Sequence, residues 1–126
     1  MIRVFMADDH LLIREGLRKV FEYTADIQVV GEARTGAEVL SYISTIPFDI
    51  LLLDLRFPDK SGMDILLDLP CSVRKKTLVI SVYEEEIFAK RVIRSGAGGY
   101  ITKDCAPETL CAAMHKIVNG GRYISE

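Results

Sequence analysis

The apolar positions along the chain change period repeatedly, and each change marks an element. "IRVFMA" (Ile2–Ala7) is a short apolar run that stops at acids. Ile13, Leu17, Val20 and Phe21 then recur at i, i+4, i+7 and i+8, the spacing of an amphipathic helix. "IQVVGEA" (Ile27–Ala33) has the β-branched character of a strand, and "GAEVLSYI" restores the helical period through Val39, Leu40 and Ile43. "DILLL" (Asp49–Leu53) predicts a third strand. A short helical pattern follows from Met63 to Leu69, ended by Pro70 and the basic "VRKK". "TLVISV" (Thr77–Val82) predicts a fourth strand. "EEEIFAKRVIRSG" (Glu84–Gly96) predicts a helix with acids at its positive end and a glycine at its close. "GGYIT" (Gly98–Thr102) predicts the fifth strand. Pro107 suits the first position of a last helix that carries Leu110, Met114, Ile117 and Val118 and stops at Gly120-Gly121.

Five predicted strands thus alternate with five predicted helices. Short apolar strands joined by connections of helical length imply right-handed βαβ units and a parallel sheet covered on both faces. Composition leaves this picture intact. A chain of 126 residues is one domain by length, and it buries roughly two-thirds of its unfolded surface without staples. Its 49% hydrophobic and 27% charged residues are those of a globular domain. A net charge of −2, with no basic run interleaved with aromatics, argues against direct nucleic-acid binding by this domain. No apolar run approaches a membrane span, and "MIRVFMADDH" has acids where a signal peptide needs an apolar core, so a cytoplasmic location is expected. Cys71, Cys105 and Cys111 are irregularly spaced and form no CxxC pair, which predicts neither a zinc site nor a disulfide framework.

In open parallel sheets, chemistry collects at the carboxyl ends of the strands. Strand one runs into Asp8-Asp9, strand three ends at Asp54, strand four ends near Ser81, and strand five is followed by Lys103. Singly, Asp8 or Asp9 reads as a helix N-cap and Asp54 as a turn residue, while Ser81 and Lys103 carry no signal. Together they put three carboxylates, a hydroxyl and an ammonium on one edge. Three clustered acids repel unless a cation lies between them, and oxygen-only ligation favours a hard ion such as Mg²⁺. A metal, a free carboxylate and a lysine make a site suited to phosphoryl chemistry, with a carboxylate as nucleophile.

"DDH" (Asp8–His10), "LLLDLRFPDKSG" (Leu51–Gly62), "VISV" (Val79–Val82) and "GAGGYITKD" (Gly96–Asp104), in that order and spacing, resemble the receiver domain of two-component response regulators over the whole chain. The resemblance implies a flavodoxin-like (βα)5 doubly wound fold with strand order 2-1-3-4-5. It implies that Asp54 is the phosphoacceptor. It also implies that Mg²⁺, or Mn²⁺ as a substitute, is held by Asp9, by Asp8 directly or through water, by Asp54 and by the backbone carbonyl of Arg56. Ser81 and Lys103 then meet the phosphoryl group, and Ser81 and Tyr100 act as switch residues, Tyr100 turning inward. Arg56 and Tyr83 flank the approach of a hydrolytic water, and their size predicts slow loss of the phosphoryl group. The domain would be no enzyme beyond its own phosphorylation and dephosphorylation.

Departures from the usual pattern are Phe57 for the commoner Met, Ser81 for Thr, and Asp104 in place of a proline after Lys103, which weakens any expectation of a cis bond there. The Lys103-Asp104 pair, "DDHLLIREGLRKVF" and the closing "GGRYISE" are most similar to the NarL/FixJ subfamily. That subfamily implies a sensor histidine kinase as partner, a homodimer on phosphorylation, and DNA reached only through a helix-turn-helix domain absent from this chain, hence a truncated transcription regulator. A stand-alone receiver acting through protein contacts is the alternative. A haloacid-dehalogenase-like phosphatase wants a second aspartate where Arg56 stands. A small-molecule module of flavodoxin type needs a phosphate-cradling loop where "ADDH" supplies acids.

Overall fold

The computed structural model describes the backbone of residues 1–81 and 86–124 and the side chains of 1–81 and 89–123. Its elements run β1 (Ile2–Ala7), α1 (Leu11–Glu22), β2 (Ile27–Ala33), α2 (Gly36–Tyr42), β3 (Ile50–Asp54), α3 (Gly62–Asp68), α4 (Cys71–Arg74), β4 (Thr77–Ser81), α5 (Glu86–Arg94), β5 (Gly99–Thr102), α6 (Pro107–Val118) and β6 (Tyr123–Ile124). The strands form one parallel sheet in the order β2-β1-β3-β4-β5-β6. The predicted order 2-1-3-4-5 is therefore present, extended by one short strand.

Side-chain alternation explains why the central strands are apolar throughout. Phe5 and Ala7 of β1, Leu51 and Leu53 of β3, and Val79 of β4 join one core with Val39, Ile65, Leu66, Val92 and Tyr100. Val4, Met6, Ile50, Leu52, Leu78, Ile80 and Ile101 point the other way, onto Phe21 of α1 and Leu110, Met114 and Ile117 of α6. Helices α2, α3 and α5 thus cover one face and α1 and α6 the other, and a strand buried on both faces has no polar alternation to show.

Three departures from the sequence reading have physical causes. Helix α4 interposes between Pro70 and β4; at four residues it is too short for any period to reveal it. The edge strand β6 pairs only Tyr123 with Gly99 and Ile124 with Tyr100, a two-residue contact set by β5 rather than by local pattern. In α1 the buried stripe is completed by Arg14 rather than by Ile13, which is 36% exposed. Positions 14, 17 and 21 share one face, and the inward place N-terminal to Leu17 falls on the arginine. The fourth strand is described to Ser81; Val82, Tyr83, Glu84 and Glu85 lie outside the described residues.

Candidate phosphoacceptor site

The carboxyl edge of the sheet is built by four strand ends. Asp8 follows β1, its N–H donating to the Ala33 carbonyl of β2 at 3.1 Å, so it extends the ladder by one residue before the chain turns into α1. Asp54 is the last residue of β3, paired in register with Ile80 of β4. Ser81 closes β4 and is buried, and the Lys103 N–H donates to its carbonyl at 2.8 Å, which sets Lys103 beside it just past β5. The loop after Asp54 returns sharply on itself. Gly62 N–H donates to the Leu55 carbonyl at 2.8 Å, and a Cβ on Gly62 would stand 2.4 Å from the Asp54 carbonyl oxygen, so only glycine fits that approach. Asp59, further round the loop, accepts from the N–H groups of Gly36 and Ala37 at 2.9 and 3.0 Å, tying the loop to the start of α2. The same two bonds, the Gly36 one foremost, hold the Asp59 carboxyl below its ordinary value.

Asp8, Asp9, His10 and Asp54 each offer a ligand atom, all within 4.8 Å of one another. Lys103 Nζ lies 3.0 Å from Asp8 Oδ2 and 3.4 Å from Asp54 Oδ2. Histidine 10 was not singled out from the sequence, yet its Nδ1 sits 2.9 Å from Asp8 Oδ1, 3.0 Å from Asp9 Oδ1 and 3.8 Å from Asp54 Oδ2. The imidazole therefore stands where a cation shared by the three carboxylates would be attracted. Asp8 is no N-cap in the usual sense: the N-cap of α1 is His10, whose own N–H donates to Asp8 Oδ1 at 2.8 Å.

Asp54 is 4% exposed. Its Oδ1 accepts from Leu55 N–H at 2.8 Å, while its Oδ2 accepts no hydrogen bond among the described residues and has only the longer contacts with Lys103 Nζ at 3.4 Å and His10 Nδ1 at 3.8 Å. Burial raises its carboxyl above the ordinary value, and repulsion from Asp8 adds to this; Lys103 pulls in the opposite direction without winning. The oxygen set, the excess of negative charge over Lys103 and the orphaned Oδ2 together fit a small hard cation such as Mg²⁺.

The remaining predicted residues fall as follows. The Arg56 side chain is exposed, and its backbone forms an isolated bridge with Ser61 across the returning loop. Tyr100 already packs inward, 2% exposed, in the core with Val79 and Val92, so the expected inward turn starts from a ring that is in place. Tyr83 lies outside the described residues. No cis peptide bond occurs among the described residues, the Lys103–Asp104 bond included. Cys71, Cys105 and Cys111 are free, and burial raises the thiols of Cys105 and Cys111. No helix among the described residues is long and apolar enough to cross a membrane.

A profile of the response regulator receiver domain matches residues 4–115. The transcriptional regulatory protein UhpA of Salmonella typhimurium is 34% identical over 125 residues, which cover 99% of this chain and 63% of that protein. The response regulator GacA of Pseudomonas aeruginosa is 34% identical over 126 residues, covering 99% of this chain and 59% of that one. The chain thus spans about three-fifths of the length of these curated relatives. Among solved structures, a LuxR-family two-component response regulator from Aurantimonas sp. SI85-9A1 superposes with a TM-score of 0.89 at 30% identity, covering 99% of this chain and 90% of that one. Fold, site geometry and relatives agree: the chain belongs to the response regulator receiver domain family, among regulators of the NarL/FixJ type.

Proposed function

We propose that this domain is a phosphorylation-operated switch with Asp54 as the acceptor. The observation that carries this reading is Asp54 Oδ2: a buried carboxylate oxygen with no hydrogen-bond donor among the described residues, facing Lys103 Nζ at 3.4 Å. A carboxylate held by one oxygen and bare at the other is oriented as a nucleophile. Mg²⁺, or Mn²⁺, would be held by Asp8, Asp9, Asp54 and the Arg56 carbonyl, and when bound it neutralises charge on the carboxylates and on the incoming phosphoryl oxygens.

In this reading Asp54 Oδ2 attacks phosphorus as the bond to the donor breaks. With a phosphohistidine donor, the bonding pair leaves on the ring nitrogen that carried the phosphoryl group, and a proton on the other ring nitrogen lets the histidine depart as neutral imidazole. Lys103 moves from a shared ion pair with Asp8 and Asp54 onto a phosphoryl oxygen, and the Ser81 hydroxyl donates to another. Because Ser81 and Lys103 lie on neighbouring strand ends linked by a backbone bond, their shift carries into β4, β5 and the core around Tyr100. The acyl phosphate decays slowly, since the Arg56 side chain is no acid or amide that would orient water, and Tyr83 is assigned the same shielding role. The phosphoryl source is a sensor histidine kinase. The output is transcriptional, through a DNA-binding domain in the same polypeptide and a homodimer formed on phosphorylation, in the cytoplasm. The relatives' names, a transcriptional regulatory protein and a response regulator, support the transcriptional output.

The test is labelling with a small acyl phosphate donor, with and without Mg²⁺, and location of the label by mass spectrometry. Mg²⁺-dependent label on Asp54, absent from Asp54→Asn, is expected. Label elsewhere in the wild type, or none with Mg²⁺ present, refutes the assignment.

A further inference from the structure

Arg14 is the one charged residue of α1 that points into the protein, 6% exposed, at a position where the helix's own pattern calls for an apolar side chain. A guanidinium is taken out of water only where its partners compensate. Its Nη1 donates to the Asp8 main-chain carbonyl at 2.6 Å, and its Nε lies 3.3 Å from Glu32 Oε1 on β2. Glu32 is held in turn by Arg18, whose Nε donates to Oε2 at 3.0 Å. Asp8 is therefore gripped at every polar atom of its backbone and at its carboxylate. Its N–H is on Ala33, its carbonyl on Arg14, and its Oδ1 takes the His10 N–H. The peptide between Asp8 and Asp9, which sets the directions in which both side chains leave the turn, has its carbonyl fixed by Arg14 alone among the described residues.

We propose that Arg14 is a positioning residue for the metal-binding turn: clamped by Glu32, its guanidinium holds the Asp8–Asp9 peptide so that both carboxylates aim at one cation. The inference rests on the metal reading of the acidic cluster given above. Mg²⁺ demands near-octahedral geometry and tolerates little misplacement of its carboxylates, so outer partners that fix ligand orientation govern affinity. Asp49, which precedes β3 and is bonded to Arg3, touches neither the turn nor the Glu32 clamp, and serves as the control.

The experiment measures three things on the whole domain: the urea midpoint, the Mg²⁺ dissociation constant by calorimetry, and exchange of the His10 amide without metal. Arg14→Met keeps an unbranched apolar stem and removes the donors. It is expected to weaken Mg²⁺ binding by at least about tenfold and to speed His10 exchange. Asp49→Ala is expected to leave the dissociation constant unchanged. A folded Arg14→Met with wild-type Mg²⁺ affinity overturns the proposal, whatever its urea midpoint. If Arg14→Met fails to fold, Glu32→Gln unclamps the guanidinium without leaving a cavity; severalfold weaker Mg²⁺ binding is then expected, and an unchanged constant overturns the proposal. Wild-type protein that binds no Mg²⁺, or Asp9→Ala that still binds it, refutes the metal reading instead. Unchanged His10 exchange in the arginine variant then refutes Arg14's hold on the turn as well.

Discussion

Asp26 and Asp49 stand immediately before β2 and β3, at the amino edge of the sheet; Asp8 follows β1 and Asp54 ends β3, at the carboxyl edge. The amino-edge pair is matched, Asp26 exposed and Asp49 half-buried. Asp49 takes Arg3 N–H at 2.7 Å and the Arg3 guanidinium at 3.1 and 3.2 Å, which holds its carboxyl below the ordinary value. Asp26 meets His115 of α6, and that contact lowers its carboxyl in the same way. The carboxyl-edge acids are buried or crowded, they outnumber Lys103, and Asp54 is pushed up rather than down. The same residue type stabilises one edge and burdens the other. The difference lies in what faces it: a dedicated cation in water, or another carboxylate out of water. A burden of this kind is what a site needs if binding a cation or a phosphoryl group is to release it.

The largest expected effect follows from removing that burden at its centre. Asp54→Asn abolishes phosphoryl labelling, because the amide keeps the shape and loses the nucleophile. It also alters stability with a definite sign. A carboxyl whose folded value is raised contributes stability fully below its unfolded value, near 3.9, and loses it as pH rises through the folded value. At pH 7 without Mg²⁺ the ionised Asp54 therefore costs stability. Asp54→Asn is expected to resist urea better than wild type by on the order of 1 kcal/mol, with the advantage shrinking towards pH 4. A variant less stable than wild type across that range would show that the carboxyl edge is not strained.

Adding a divalent cation should do the same to the wild type. Mg²⁺ at about a hundred times its dissociation constant stabilises by about 2.7 kcal/mol through mass action. Asp9→Ala is expected to lose most of that gain, read as the difference in urea midpoint with and without Mg²⁺. An undiminished Mg²⁺ response in Asp9→Ala would move the ion away from this turn.

At the amino edge, Asp49→Ala removes three hydrogen bonds that tie the start of β3 to β1. The pair is largely solvated, so the expected loss is only about 1 kcal/mol. Mg²⁺ affinity and labelling should be those of wild type. Impaired labelling in a folded Asp49→Ala protein would mean that the two edges are coupled through β1 and β3.

What the sequence made legible depended on how local each cause was. The bounds of β1 and β2 coincide with those predicted because a run of apolar and β-branched residues ended by acids or polar residues is a local signal. Four strand ends could be placed on one edge for the same reason. Residues whose role is set by a distant partner stayed hidden. Nothing in the helical period marks Arg14, since its burial is decided by Glu32 and the Asp8 carbonyl. Asp59 clasps Gly36 and Ala37 across 23 and 22 residues, and nothing in "FPDKSG" announces it. His10 was readable only as part of a motif; its place among three carboxylates comes from the turn into α1. Helix α4 and strand β6 were missed because four and two residues carry no period.

The smallest expected effect tests the amino edge by pH. His115 Nδ1 lies 2.7 Å from the Cys111 carbonyl, and Nε2 contacts the Asp26 carboxylate. Both partners are acceptors, so both ring nitrogens must carry a proton for both bonds to form. The Cys111 carbonyl first, and Asp26 second, raise the imidazole above its ordinary value. A raised folded value gives stability that is full below the unfolded value, near 6.5, and lost as pH rises through the folded one. Asp26, with a lowered value, contributes above about 3.9 and fails only in stronger acid. The contact is therefore complete between those limits and weakens above them. Both edges thus lose stability as pH rises, one because a proton leaves a bonded imidazole, the other because a buried carboxyl ionises beside another. The melting temperature of His115→Gln, followed from pH 5 to pH 9, separates them. Its deficit against wild type is expected to be largest near pH 6 and to vanish towards pH 9, and added salt should shrink it because the pair is partly exposed. The Asp54→Asn background should leave that deficit unchanged. A deficit that stayed constant with pH would show that His115 contributes packing alone, and that only the carboxyl edge answers to protons.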